Sequence, residues 1–260
     1  MNIIKRILLS ALLVSLAATT LIAQNAPPDP AMPVPPPPMP GMSQSPPPVP
    51  VEMLDRHTFR ISPPEMVSPG VYRIGEIVVN KTEKTITFPA VVNMNKGLLE
   101  YLLVRNAGKT HESLFRTAVE PYNLQIACLL LDLVGTDKPL AFQGAPDTPK
   151  GDPVSISVER VLDNGRSQTV NPKEWIVKTV DGEQRNAPDL NWIFTGSIIS
   201  NGRFASQVDG SIIALYHDPV AMIDNASLGG ESDKIWFVNE KTAPPVGTKV
   251  TITIKPVKKP

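Results

Sequence analysis

The chain has 260 residues, a formal net charge of 0, 42% hydrophobic residues and one cysteine, Cys128. A balanced charge gives no concentrated basic surface, which excludes nucleic acid as an expected partner. One thiol cannot form an internal disulfide or hold an iron–sulfur cluster, which needs about four cysteine ligands. We therefore expect no cofactor, and we expect Cys128, inside "LQIACLLLDLV", to be a buried and unreactive thiol.

Residues 1–23 have the pattern of a secretory signal peptide. Lys5 and Arg6 precede an apolar run, Ile7 to Ala23, that contains no charge, and this order is typical of export signals. We predict cleavage after Ala23 and an exported protein, located in the periplasm or the cell envelope. The alternative is an uncleaved segment that tethers the chain to the membrane. Cleavage would take the formal charge from 0 to −2 because it removes Lys5 and Arg6.

The composition changes abruptly after the signal segment. Proline makes up nearly half of residues 24–50, in runs such as "PVPPPPMP". Such a tract has little to bury and few amide donors, so it favours extended, solvated polyproline II. We interpret residues 24–70 as a disordered proline-rich spacer and residues 71–260 as one globular domain with a substantial core.

Short β-prone runs separated by turn signals dominate the start of this domain. The runs "YRIGEIVVN" and "KTITFPAVVNM" predict the first strands. The next two runs, "GLLEYLLV" and "THESLFRTAV", flank the tight "RNAGK" segment. This arrangement predicts a β-hairpin.

One long helix is predicted next. Pro121 suits the first turn of a helix, and the apolar segment "PYNLQIACLLLDLV" continues to Gly135, which suits a C-terminal stop. The few polar residues of this segment fall within a narrow arc of the helix, so nearly all its circumference is apolar. We predict that it is the buried central packing element.

The rest of the chain reads mainly as strands. Asp-Asn-Gly at 163–165 and Asn-Gly at 201–202 predict two hairpin turns. Asn171 and Pro172 predict a capped short helix in "NPKEWIV". With about ten strands in all, the expected fold class is α+β: a mainly antiparallel β-sheet with one long buried helix and one or two short helices.

The stretch "KTHESLFRT" carries the first candidate chemistry. His111 and Glu112 begin the HExxH pattern of zinc proteases, but Phe115 occupies the position of the second histidine. Thr, Phe and Val favour a strand here. In a strand, His111 and Ser113 share one face and Glu112 points to the other. The sequence therefore predicts no metal site.

Two interpretations of His111 and Ser113 remain open. They could form a general base beside a nucleophile, or the histidine could be a partly buried structural residue bonded to Ser113 or to the backbone. Glu100 bears on this choice because the hairpin register decides whether it joins His111 and Ser113 or faces Glu112. The weak catalytic candidates are thus Glu100, His111, Glu112 and Ser113.

A second polar group follows an apolar run in "DGSIIALYHDPVAMIDN". His217 and Asp218 stand at the end of the predicted strand and Asp224 lies just after it. Side chains at strand ends and in the following loops can converge on a ligand, so these three residues are candidate ligand-binding residues. The alternative is that the aspartates are ordinary turn and capping residues. Calcium-loop spacing is absent.

Five separated blocks resemble the YdjY domain family: "FPAVVNMNKGLLEYLLVRNAGKTHESL", "NWIFTGS", "DGSIIALYHDP", "KIWFVNE" and "PPVGTKVTITI". The resemblance covers roughly residues 72 to 256. It implies an exported bacterial protein, notably of planctomycete-type lineages, with "GKTHESL" and "DGSIIAL" as recurrent landmarks and with no established activity. The ferredoxin-like label of some family members does not transfer, because Cys128 stands alone.

These observations lead to two functional hypotheses. The first is an exported, β-rich, non-enzymatic binding or structural module that meets an unidentified partner or ligand at the cell envelope. The alternative is a hydrolase or metal-dependent enzyme that uses the His111, Glu112 and Ser113 region. An open cleft shared by His111, His217 and a carboxylate would favour the enzyme.

Overall fold

A computed structural model describes residues 61–162, 164–187 and 190–257 of the chain. Within these ranges, no helix combines the length and the apolar composition that crossing a bilayer requires. The predicted signal peptide and most of the predicted spacer lie outside the described residues. The last part of that spacer contains a paired strand at Glu65–Ser68, so regular structure begins before the predicted domain boundary at residue 71.

Strands are the most abundant regular structure, with 41% of the described residues in strands and 11% in helices. The described strands are β1 (Glu65–Ser68), β2 (Val71–Ile74), β3 (Ile77–Asn80), β4 (Thr85–Val92), β5 (Tyr101–Arg105), β6 (Ser113–Thr117), β7 (Asp152–Val161), β8 (Ser167–Val170), β9 (Ile176–Val180), β10 (Glu183–Asn186), β11 (Trp192–Phe194), β12 (Ile199–Ser200), β13 (Arg203–Phe204), β14 (Ser211–Ala214), β15 (Ile223–Asn225), β16 (Trp236–Val238) and β17 (Lys249–Pro256). The described helices are α1 (Pro121–Leu130), α2 (Ala205–Asp209) and two 3-10 turns, Thr110–Glu112 and Pro172–Trp175.

Eight of these strands close into a β-barrel in the order β4, β17, β7, β11, β15, β14, β5, β6, and β6 pairs back with β4. Along β4 and β17, buried residues alternate with exposed or half-exposed ones, because successive side chains of a strand point to opposite faces. The inward residues, such as Phe88 and Ile252, are buried in the main core. Strands β1, β2 and β3 extend the sheet beyond β4, and β10, β9 and β16 form a separate small sheet.

Pro89 marks the point where one edge of β4 changes partner. The beginning of β4 pairs with β3 and its end pairs with β6. The Pro89 carbonyl accepts a hydrogen bond of 2.7 Å from the Thr117 hydroxyl. Since the nitrogen and the carbonyl of a strand residue point to the same edge, the missing N–H of Pro89 faces the gap between β3 and β6. The proline therefore costs the barrel no ladder hydrogen bond.

The predicted α+β fold class with one long buried helix is wrong, because the described structure is mostly β, with an eight-stranded barrel and a helix α1 of only 10 residues. Helix α1 ends at Leu130, and Asp132 then adopts a left-handed conformation with a φ of 60°. The helix packs against β3, outside the closed ring. Tyr122 is 41% exposed and Leu129 is 57% exposed. The apolar composition of the run after Pro121 therefore does not show which element lies at the centre of the fold.

The predicted hairpin between β5 and β6 is also wrong, because the two strands are parallel. Gly108 and Gly210 lie so close that a Cβ on Gly210 would stand 2.8 Å from the Gly108 Cα. The Arg105 amide donates to the Gly210 carbonyl at 2.8 Å. These contacts hold the end of β5 against the chain before β14, and residues 106–112 then return to the beginning of β5.

Other local predictions are confirmed. The hairpin between β7 and β8 spans the Asp-Asn-Gly segment, and β12 pairs with β13 around Asn-Gly 201–202. The short helix after Asn171 is a 3-10 turn with a complete capping box. The run after β13, predicted as a strand, is instead helix α2.

Candidate functional site

A group of polar side chains, here called the polar cluster, lies where the beginning of β5 meets residues 106–112 and the loop after β14. Hydrogen bonds or ion pairs connect its members. The cluster comprises Glu100, Tyr101, Lys109, Gln143, Asp209, Asp218 and Asp224.

The phenol of Tyr101 is the centre of the polar cluster. Its hydroxyl donates to Asp218 Oδ2 at 2.8 Å and accepts from Lys109 Nζ at 2.8 Å. The side-chain amide of Gln143 also reaches the hydroxyl, at 3.2 Å. Tyr101 is fully buried, and burial, followed by the charge of Asp218, raises the pKa of its phenol. The hydroxyl therefore acts as a neutral hydrogen-bonding junction.

Lys109 connects this buried junction to the surface. Its ammonium lies 3.1 Å from Asp209 Oδ2 and 3.7 Å from Asp218 Oδ2, and its side chain is 30% exposed. The Asp218 side chain is only 3% exposed. Two carboxylates and a phenol thus fix the position of one partly exposed cation.

Asp224, in β15, lies behind Asp218 and is completely buried. Its two carboxylate oxygens accept from the backbone amides of Asp218, at 3.0 Å, and Asn225, at 2.7 Å. Burial is the main cause that raises the pKa of Asp224 well above its usual value, and the charge of Asp218 adds to it. Two adjacent carboxyl groups are therefore kept out of water at this site.

His217 joins three loop segments and is only 3% exposed. Its ring nitrogens lie 2.7 Å from the Ala145 carbonyl and 2.8 Å from the Asn225 carbonyl. Gly230 covers the ring so closely that a Cβ there would lie 2.2 Å from Nε2. The predicted ligand-binding residue His217 is thus sealed into the protein and does not share an open cleft with His111.

The structure corrects the predicted geometry of His111 and Glu112. Both lie in the 3-10 turn rather than in a strand, so their side chains do not point to opposite faces. His111 Nε2 lies 3.4 Å from Glu112 Oε2, and the histidine side chain is 76% exposed. Burial, followed by repulsion from Glu112 and Asp233, raises the pKa of nearby Glu100. Glu100, His111 and Glu112 lie at the exposed margin of the polar cluster.

Ser113 does not have the environment of a nucleophile. It is completely buried at the beginning of β6, and its hydroxyl donates to the carbonyl of Phe115 at 2.7 Å. His111 instead faces solvent beside Glu112. The base and nucleophile pair that the sequence left open is therefore not assembled.

The model of the YdjY domain family matches residues 77–255, more than half of the chain. The chain belongs to the YdjY domain family. The resemblance seen in the sequence is thereby confirmed. Neither a curated protein nor a solved structure matches this chain.

The described part of this YdjY domain contains no group of three or more His, Cys, Asp or Glu side chains arranged to hold a metal ion. Cys128 is buried in α1, and burial raises the pKa of its thiol.

Sequence reasoning located Glu100, Asp218 and Asp224 but missed Tyr101 and Lys109. Tyr101 is hidden in an apolar strand, where an aromatic residue reads as core. Lys109 stands next to Gly108 and two residues before His111, and nothing in its local sequence distinguishes it from a solvated lysine.

Proposed function

We propose that this YdjY domain is an exported, non-enzymatic binding module of the cell envelope, and that its polar cluster binds a polar ligand or partner. The observation that carries this proposal is the position of Lys109. Its ammonium is held by Tyr101 and Asp209 near the buried Asp218, yet its side chain remains 30% exposed. A cation fixed in advance loses little conformational entropy when it binds.

The energetic cost of the polar cluster supports a role beyond folding. Removing charges such as those of Asp218 and Asp224 from water lowers stability unless their partners compensate fully, and apolar side chains of similar size are often as good or better. Perturbed, buried ionisable groups concentrate at functional sites. The pKa of buried Asp224 is raised, so part of this cost is uncompensated in the folded protein.

The exposed margin suggests the chemistry of the ligand. Gln143 and His111 are exposed, Glu100 is half-buried, and Lys109 lies among them. This set offers both hydrogen-bond donors and acceptors. A ligand with several hydroxyl or amide groups suits it better than a purely anionic one, because Glu100, Asp209 and Asp218 offset the charge of Lys109.

Export is the other half of the proposal. It is supported by the signal pattern of residues 1–23 and by the proline-rich composition of residues 24–50. An extended spacer of this kind can hold a binding domain at a distance from an anchoring point, at about 3.1 Å per residue. Fractionation of cells that produce the tagged protein is expected to find it in the periplasmic or envelope fraction; recovery in the cytoplasm would refute this half.

The binding half is tested with immobilised protein and a solubilised envelope extract. We expect Lys109→Met to lose the components that the wild type retains, because it removes the positioned cation. The matched control is Lys81→Met, which removes an exposed lysine from the turn between β3 and β4. Circular dichroism checks that both variants are folded. Equal retention by the folded Lys109 variant and the wild type would show that the polar cluster is only structural.

A further inference from the structure

A second surface of the barrel has a different character. A groove of about 480 Å3 runs along the outside of strands β6, β4, β17 and β7, beside the point where β4 changes partner at Pro89. We call it the flank groove. This volume is typical of sites for small molecules. Its outward-facing lining residues are Pro89, Val91, Arg116, Ala118, Glu159, Val161, Lys249 and Thr251.

Strand register arranges these side chains in rows across the groove. Arg116 is opposite Val91, and Val91 is opposite Lys249. The register of β17 with β7 pairs Val250 with Arg160, and its extension by one residue brings Val161 to the position opposite Lys249. Neighbouring strands are about 4.8 Å apart, so the backbones that carry Arg116 and Lys249 are separated by about 10 Å. Both long side chains can therefore reach one group placed above Val91.

Both basic side chains have unused donors. Arg116 donates from Nη1 to Asn106 Oδ1 at 3.1 Å, which leaves most of its five N–H groups free of that bond. Within the described ranges of the chain, Lys249 has no hydrogen-bond or ion-pair partner. The third basic residue at the groove, Arg160, is engaged elsewhere, since it donates to Gln168 and lies over the ring of Trp175.

The acidic side chains of the flank groove lie away from this row. Glu159 is opposite Thr251 in the next row and already accepts from the Ser167 hydroxyl at 3.1 Å. Glu76 stands in the turn between β2 and β3. These carboxylates repel an anion from their side of the groove. An anion is therefore directed to the row that contains Arg116 and Lys249.

Apolar atoms form the rest of the surface. Val161 is 65% exposed, and Pro89 and Ala118 are further exposed residues that line the groove. Exposed apolar area next to a charged rim is a common property of ligand-binding grooves. The combination fits a molecule with one anionic group and one apolar part.

We propose that the flank groove binds small amphiphilic carboxylates, with the carboxylate between Arg116 and Lys249 and the alkyl chain against Val91, Val161 and Pro89. The guanidinium and the ammonium supply charge-assisted hydrogen bonds. The apolar floor supplies burial that a short carboxylate cannot use. This site is separate from the polar cluster and does not depend on the function proposed for it.

Octanoate below its micellar concentration is the probe, and methyl NMR of the purified wild-type protein is the readout. We expect shifts of the Val91, Val161 and Ala118 methyl signals, and an affinity for octanoate at least tenfold higher than for acetate or octylamine. Raising the salt concentration should weaken binding, since the attraction of surface charges is screened. Equal shifts with octylamine, or shifts confined to other methyl groups, would overturn the proposal.

The double variant Arg116→Met, Lys249→Met tests the same point by mutation. We expect it to bind octanoate at least tenfold more weakly, while the control Lys81→Met binds it like the wild type. Unchanged affinity in the folded double variant would refute the site. Since the wild-type mapping needs no variant, a failure of the double variant to fold leaves the first test decisive.

Discussion

The polar cluster and the flank groove place charged residues in opposite situations. In the polar cluster, Asp218 and Tyr101 are buried and bonded to each other. In the flank groove, Lys249 is exposed, and its ammonium has no hydrogen-bond or ion-pair partner among the described residues. The two regions differ in how their charges are held, since those of the polar cluster are paired in a buried framework and the Lys249 ammonium of the flank groove is exposed and, in the described part of the chain, unpaired. Substitutions should therefore lower stability at the polar cluster and change it little at the flank groove.

The largest expected effect is that of Asp218→Ala. This change leaves the Tyr101 hydroxyl and the Val220 amide without their acceptor, and it leaves Lys109 with one carboxylate fewer. Breaking a buried charge pair from one side costs about 3 kcal/mol of unfolding free energy. Urea unfolding at neutral pH measures this loss of unfolding free energy. Tyr101→Phe, which removes only the hydroxyl, is expected to lower the unfolding free energy by about 1 kcal/mol. If Asp218→Ala lowers the unfolding free energy by less than about 1 kcal/mol, the polar cluster does not act as a stabilising framework.

The next largest expected effect is a change of folding stability with pH that is caused by the ionisation of Asp224. Burial, opposed by its two backbone hydrogen bonds, raises the pKa of this carboxyl in the folded state. The folded protein then binds this proton more tightly than the unfolded chain, so the contribution of Asp224 to stability is highest at low pH and falls as the pH rises from about 4 through the folded pKa. Within that window the loss is at most about 1.4 kcal/mol per pH unit.

Asp224→Asn removes this titration and keeps the shape of the side chain. We expect the unfolding free energy of the variant to gain on that of the wild type as the pH is raised from 4 to 8, measured by urea unfolding at each pH. The variant also loses one acceptor for a backbone amide, so its unfolding free energy at pH 4 can be lower than that of the wild type. Parallel curves for the two proteins would show that Asp224 contributes no pH dependence.

The smallest stability effects are expected in the flank groove. Lys249→Met removes an exposed ammonium with no partner in the described structure, and Arg116→Met removes one hydrogen bond to Asn106. Each should change the unfolding free energy by no more than about 0.5 kcal/mol. Thermal melts and urea unfolding measure it. A loss above 1.5 kcal/mol in either variant would remove the contrast between the two regions.

Local turn chemistry made several elements predictable. Asn-Gly pairs marked two hairpins, Asn171 and Pro172 marked a capped turn, and alternating β-branched runs marked β4, β7 and β17. These signals lie within a few neighbouring residues. The family could be recognised for a related reason, because its blocks are continuous stretches of sequence.

Closure of the barrel was not predictable in the same way. The "RNAGK" segment looks like a hairpin turn, yet contact between Gly108 and Gly210, about a hundred residues apart, makes β5 and β6 parallel. The apolar run after Pro121 has helical periodicity but does not reveal that the helix stops at Leu130 and lies outside the ring. The polar cluster likewise depends on long-range contacts, such as that between Tyr101 and Asp218.

The seam between β4 and β6 is short, with only Val91 opposite Arg116 and Val92 opposite Phe115 in the register. Before these residues meet, two strand edges are open and can template edge-to-edge growth of the kind that builds fibrils. Once they meet, the ring offers neither edge to another chain. Substitutions that weaken this short seam should therefore expose the edges of β4 and β6 to pairing with other chains.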